Sequence, residues 1–257
     1  MNIILWTLIV SLGINIFMFI PAFIYKTDKL TDISYAVTFM VVAVAGFLRS
    51  EKTTLQLVTL LAVLLWALRL GTFLFIRINR MKRDKRFDGM REHFFAFLRF
   101  WLLQGLSVFV VMLAASFAFK QAESTFAPLS YLGLGIFAAG LLIEATADAQ
   151  KFRFSGNPAN KDKWIDVGIW RKTRHPNYLG EMMVWTGVYL LVAPSLVGAD
   201  SLWALLSPLY IICLLLFVSG IPLLEKAADK KWGSDKRYQT YKRQVPVLIP
   251  SFKSISR

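Results

Sequence analysis

The sequence predicts an all-α, polytopic membrane helical bundle with seven transmembrane helices, its N-terminus outside and its C-terminus cytoplasmic. Three observations predict it. Of 257 residues, 56% are hydrophobic and the mean hydropathy is +0.52, above the roughly 45–50% apolar content of soluble domains. Seven apolar runs, at about 2–25, 31–48, 54–76, 94–119, 128–149, 178–198 and 202–224, approach the roughly 20 residues that cross a bilayer. Lys and Arg are also partitioned. The loops after the first, third and fifth runs and the tail after the seventh hold 25 of them, whereas the opposite side holds only Arg49, Lys52 and Lys120. The positive-inside rule turns that asymmetry into an orientation.

Each run is too long and too continuously apolar for a strand, and an open sheet could not satisfy its backbone in lipid, so all seven are expected to be helices. The first lacks a basic leader and a small-residue cleavage site and reads as a retained span. The fifth carries Gly133, Gly135 and Gly140 with Ala138 and Ala139, a composition expected for close helix packing. Cys213, the single cysteine, is expected to be a small buried hydrophobe. One thiol and two histidines give neither an intrachain disulfide nor a metal site. The formal net charge of +14 lies in short loops between apolar runs. It therefore sets topology and argues against a nucleic-acid groove.

Chemistry is concentrated at the predicted cytoplasmic ends. Glu144 and Asp148 are four apart near the end of the fifth run, hence on one helix face. They serve either a salt bridge to Arg69 or loop arginines, or a ligand. The sixth run opens Arg174-His175-Pro176-Asn177-Tyr178-Leu179-Gly180-Glu181. Pro176 suits a first helical position, and Arg174, Asn177, Tyr178 and Glu181 recur at spacings of three and four. A helix N-terminus beside Arg174 can cradle an anion. His175 reads as a proton donor, a phosphate contact, a cap or a water-exposed residue. The tail after Glu225 is basic and aromatic, as a membrane-surface helix would be. A polyanionic cofactor from the cytoplasm and a hydrophobic or lipid substrate from the bilayer would both be accommodated.

The run Arg174 to Glu181 resembles the signature of steroid 5-alpha-reductase-like membrane enzymes. The tail from Lys231-Trp232-Gly233 through Tyr241 to Val245-Pro246 and Ile249-Pro250 resembles that of the related sterol reductases, as does Asp148 to Arg153. The likeness is to the uncharacterised bacterial branch and implies a multi-pass protein of a bacterial inner membrane. It implies one integral domain over 1–257, with 1–92 on the substrate side and 128–257 holding NADPH. It implies hydride transfer to an activated C=C of a steroid-like or other lipidic substrate. Positions matching the family's cofactor motif are Asp148, Lys151, Arg153, Trp170, Arg174, Asn177, Tyr178, Glu181 and Tyr241, with Glu144 and Asn79 as further matches. The Gln-Glu pair with which steroid reductases polarise a ketone is absent, and Asp32 with Tyr35 is the nearest substitute. The Arg-His-Pro-x-Tyr-x-Gly pattern also resembles isoprenylcysteine and phospholipid methyltransferases, which use S-adenosylmethionine. A membrane scaffold without catalysis is a third reading.

Overall fold

The computed structural model describes residues 2–81 and 87–250, with side chains omitted at 79–81. Among these residues every regular element is helical and no strand occurs. In order they are α1 (Ile3–Ile24), α2 (Lys29–Leu48), α3 (Thr54–Met81), α4 (Phe94–Val111), α5 (Leu113–Lys120), α6 (Pro128–Gly156), α7 (Pro176–Val192), α8 (Ala199–Cys213), α9 (Ile221–Trp232) and α10 (Lys236–Gln244). Six stretches are long and apolar enough to cross a membrane: α1, α2, α3 as far as Ile78, α4, α6, and Ala199–Trp232.

The seven expected runs are therefore altered in three places. The run at 94–119 breaks at Met112 into α4 and α5. The run at 178–198 yields only the 17 residues of α7, followed by a 3-10 turn at Ala193–Ser195. The last run is interrupted by a π-turn, Leu214–Val218, before Gly220 and α9. Cys213 is exposed rather than buried. It lies on the outer surface of an apolar helix, where a small hydrophobe needs no core.

The chain forms two compact units, residues 1–134 with 188–207, and residues 135–187 with 208–257. In the first, small residues set the helix approaches. A Cβ on Gly105 would lie 3.0 Å from the Ser11 carbonyl oxygen, one on Gly71 2.9 Å from Ala36, and one on Gly46 2.7 Å from Phe119. Lipid gives helices no solvent-driven reason to associate, so such close backbone packing and interhelical hydrogen bonds carry the cohesion. Phe19, Ala22, Phe87, Phe97 and Trp101 form an aromatic cluster in which Phe19 meets Phe97 edge to face at 5.8 Å. Gln56, fully buried, accepts from Thr53 N and donates to the Ala118 and Gln121 carbonyls. It thereby ties the end of α5 to the start of α3. Arg91 is buried between Asp28, at 2.7 Å, and Asp88.

In the second unit α6 and α7 cross at glycine. A Cβ on Gly140 would stand 2.7 Å from the Gly180 carbonyl oxygen, and one on Gly180 2.7 Å from Glu144. The small-residue expectation holds at Gly140 but not at Gly135, where nothing lies within 4 Å.

Candidate functional site

The second unit gathers most of the predicted site around the start of α7. Pro176 is the first residue of α7, as its fixed φ and missing donor favour. Just before it, the backbone N–H groups of Arg174 and His175 donate to the Pro246 and Val247 carbonyls at 2.9 and 3.2 Å, and Thr173 Oγ1 donates to Val247 O at 3.0 Å. The chain after α10 is thus strapped across the entry to α7. Its proline at 246 provides a carbonyl there without needing a partner for a donor.

A charged hub closes beneath this strap. His175 Nε2 is 2.8 Å from Glu225 Oε1, and Arg174 Nη2 lies 3.3 Å from Glu225 Oε2. Lys242 Nζ approaches the same Oε2 at 3.2 Å and Asp229 at 2.6 Å, while Arg174 Nη1 donates to the Lys242 carbonyl at 2.6 Å. His175 is buried and its ring stacks on Tyr178 at 5.8 Å. It is not a water-exposed residue: it holds the cap position of α7, its carbonyl accepting from Leu179 N at 3.1 Å, while Glu225 engages its ring. Burial would depress the Lys242 ammonium, but its bonds to Asp229 and Glu225 outweigh that and raise it above 10.5.

The α6 end and the loop after it are locked together by backbone contacts. Trp170 Nε1 donates to Ala147 O at 3.1 Å, Ile169 N to Gln150 Oε1 at 3.0 Å, and Tyr241 Oη to Trp170 O at 3.0 Å. Gly168 has φ +57°, and a Cβ there would stand 2.3 Å from Gln150 Oε1, so only glycine fits both the left-handed backbone and the approach. Burial raises the Tyr241 hydroxyl well above its ordinary range, overcoming the opposing Arg174 charge. Trp164 meets Tyr238 edge to face at 5.4 Å and Trp232 at 6.3 Å, a small aromatic core beneath the loop.

Two carboxylates stand close by on α6, Glu144 and Asp148, both buried. Lys151 Nζ lies 5.2 Å over the Trp170 ring, and Arg153 is exposed. On α7, Glu181 is half-buried and Asn177 Oδ1 is sealed from solvent with no hydrogen-bond partner.

Residues 18–245 match the family described as "Protein of unknown function (DUF1295)". The chain belongs to the DUF1295 family. This DUF1295 member is also 25% identical over 224 residues to an uncharacterised protein of Schizosaccharomyces pombe, an alignment covering 72% of this chain. The chain spans 60% of the length of that relative. No solved structure matches.

For this DUF1295 chain, Glu144, Asp148, Lys151, Arg153, Trp170, Arg174, His175, Asn177, Tyr178, Glu181 and Tyr241 all lie in the second unit. Asp32 and Tyr35 lie in the first. Asp32 Oδ2 accepts from Arg77 Nη2 at 2.8 Å. A carboxylate engaged by a guanidinium is an acceptor, the wrong polarity for polarising a ketone oxygen. Tyr35 packs edge to face on Phe39 at 5.0 Å, which in turn packs on Trp66 at 4.9 Å. Asn79 falls outside the described side chains. Glu225 and Lys242, the centre of the hub, were recognisable beforehand only as members of a charged tail. Their partners lie 50 and 68 residues upstream, a separation no local spacing rule reaches.

The residues present fit a nucleotide's polar groups. The orphaned Asn177 Oδ1 is an acceptor in want of a donor, such as a carboxamide N–H or a ribose hydroxyl. Glu144 and Asp148 are buried carboxylates on the neighbouring helix, Lys151 lies over Trp170, and exposed Arg153 is a cation of the type that binds phosphate. Arg174 is committed to Glu225 and the Lys242 carbonyl and positions the α7 entry.

Proposed function

We propose that this protein is an NADPH-dependent membrane reductase transferring hydride to an activated C=C of a lipidic substrate. The observation that carries the reading is the bare Asn177 Oδ1, on the helix that begins with the reductase-like motif and crosses buried Glu144 at Gly180. Leaving a sealed amide oxygen without a donor costs about 1–3 kcal/mol, a cost that a bound carboxamide or ribose would remove. NADPH when bound would supply the hydride. The chain's own residues would bind and orient it: Asn177, Glu181 and Asp148 toward hydroxyl or amide groups, Lys151 and Arg153 toward phosphates. Arg174 and His175, held by Glu225, keep the α7 entry in position. Asp32 and Tyr35, the candidates for polarising a substrate, lie in the first unit, where Asp32 accepts from Arg77.

A second reading is supported by one observation. Arg174 and Glu225 pair with each other, and in a lipid methyltransferase the carboxylate and ammonium of S-adenosylmethionine would have to open that pair, the carboxylate taking Arg174 and the ammonium Glu225. Both readings are tested on the full chain in mild detergent by fluorescence quenching with NADPH and by calorimetry with S-adenosylmethionine. NADPH binding is expected, weakened about tenfold or more by Asn177→Ala and Glu181→Gln in folded protein. Binding of S-adenosylmethionine with none of NADPH would sink the reductase reading. Binding of neither would leave the scaffold reading.

A further inference from the structure

We propose that the side-chain amide of Gln104 is the polar anchor of a lipid-binding position in the first unit: its Oε1 accepts a hydrogen bond from a hydroxyl on a neutral, bilayer-dissolved molecule. This goes beyond the reductase reading, which concerns residues of the second unit. Gln104 is on α4, ten residues in from Phe94, so about 15 Å along the helix at 1.5 Å per residue, a depth near the middle of a roughly 30 Å hydrocarbon core. Its Nε2 donates to Asn15 Oδ1 at 2.9 Å, Thr31 O at 3.1 Å and Ser34 Oγ at 3.1 Å.

The chemistry of those three partners fixes which way the amide points. Thr31 O is a carbonyl and can only accept. Asn15 spends its own Nδ2 on Ser11 O and Thr38 Oγ1, so it offers only Oδ1. Ser34 gives its proton to Thr31 O. An amide turned the other way would set oxygen against three acceptors, so Nε2 must face inward and Oε1 outward.

The consequence is an asymmetric amide. Asn15, Thr31, Ser34 and Thr38 are essentially inaccessible, and their interlocked bonds hold Gln104 at the junction of α1, α2 and α4. Its Oε1 accepts no hydrogen bond among the described residues, while Gln104 itself remains half-buried and the oxygen is not sealed. In a bilayer-spanning α4, a preorganised acceptor at mid-helix would be expensive to leave without a donor, which marks it as a binding position. Exposed Leu103 and Leu106 beside it give the occupant an apolar body. A neighbouring helix is the poorer occupant, because helices keep their backbone N–H groups internal. A hydroxylated lipid brings a donor with it and arrives through the bilayer.

The test uses the full chain in nanodiscs with a diazirine-bearing long-chain fatty alcohol as probe and its O-methyl ether as control, with crosslinks mapped by mass spectrometry. The alcohol is expected to label peptides of α1, α2 and α4 around Gln104 several-fold more than the ether. Gln104→Leu and Gln104→Met, each checked for folding by thermal melting, are expected to reduce the alcohol to the level of the ether. Equal labelling by the two probes in the unmodified protein overturns the proposal even if both variants fail to fold. So does a preference that survives in either folded variant, or a Gln104-dependent crosslink between two copies of the chain. NADPH binding is measured on the same samples. Alcohol preference without NADPH binding removes the cofactor reading and keeps the anchor, and NADPH binding without alcohol preference does the reverse.

Discussion

At the scale of single residues, the second unit depends on groups whose protonation the fold has altered. Tyr241 donates to Trp170 O and burial holds its hydroxyl protonated well past its ordinary value of 10.0. Lys242 is raised above 10.5, its bonds to Asp229 and Glu225 outweighing the burial that opposes them. The sign is the same for both. A folded-state pKa above the unfolded one means that the native state holds the proton more tightly, so stability is complete below the unfolded pKa and is lost as pH rises through the folded one. The protein is expected to keep a constant melting temperature across neutral pH and to lose stability above about pH 10. Tyrosinate absorbance should show the Tyr241 hydroxyl resisting titration until the loss occurs, with Tyr238, also raised by its burial, titrating late beside it. Tyr241→Phe should lower the number of late-titrating hydroxyls by one. Alkaline loss below pH 9, or an unchanged number of late-titrating hydroxyls in Tyr241→Phe, would contradict the assignment.

At the scale of elements, the hub joins α7, α9 and α10 through Arg174, His175, Glu225 and Lys242. Arg174 and Glu225 are only 10% and 18% exposed at their side chains, so their pairing is less screened than a surface ion pair. A double-mutant cycle with Arg174→Met and Glu225→Gln is expected to give a coupling of about 0.5–3 kcal/mol in thermal unfolding. A coupling of zero would mean that Lys242 and His175 alone hold Glu225.

Which elements the sequence made legible follows from what marks them chemically. Pro176 marks the start of α7 because a missing N–H matters least there. Gly140 marks a close crossing because a Cβ would collide with Gly180 O. The break at Met112 and the π-turn at Leu214–Val218 carry no such mark, since every neighbour is apolar and hydropathy is blind to backbone register. Glu225 could be seen as charged, but its choice of Arg174 and His175 is made by tertiary packing. Asn15 and Gln104 stood in plain view as polar residues in apolar runs, and lack of charge let them pass as ordinary span residues.

At the scale of the whole molecule, the open issue in the topology is whether α7 crosses the membrane. Its 17 residues span about 25 Å at 1.5 Å per residue, and the 3-10 turn Ala193–Ser195 adds about 6 Å at 2.0 Å per residue, together about the thickness of a hydrocarbon core. Contacts within the first unit say where that path ends. Ser195 bonds to Thr125, and Asp200 pairs with Lys120 at 2.8 Å. Lys120 ends α5 and Thr125 follows it, in a stretch that holds few cations. A path from a loop rich in Lys and Arg to that stretch is the one a crossing α7 would take. Such a crossing would make the count seven and would set the termini on opposite sides of the membrane. In a Cys213→Ala background, Val197→Cys is expected to react with a membrane-impermeant maleimide in intact cells. Lys163→Cys and Lys236→Cys should react only after permeabilisation. If Val197→Cys were shielded together with Lys163→Cys, α7 would not cross, six spans would remain and the termini would share one side. The cations around the α7 entry would then lose their assignment to the cytoplasmic face, and with it the access route proposed for NADPH.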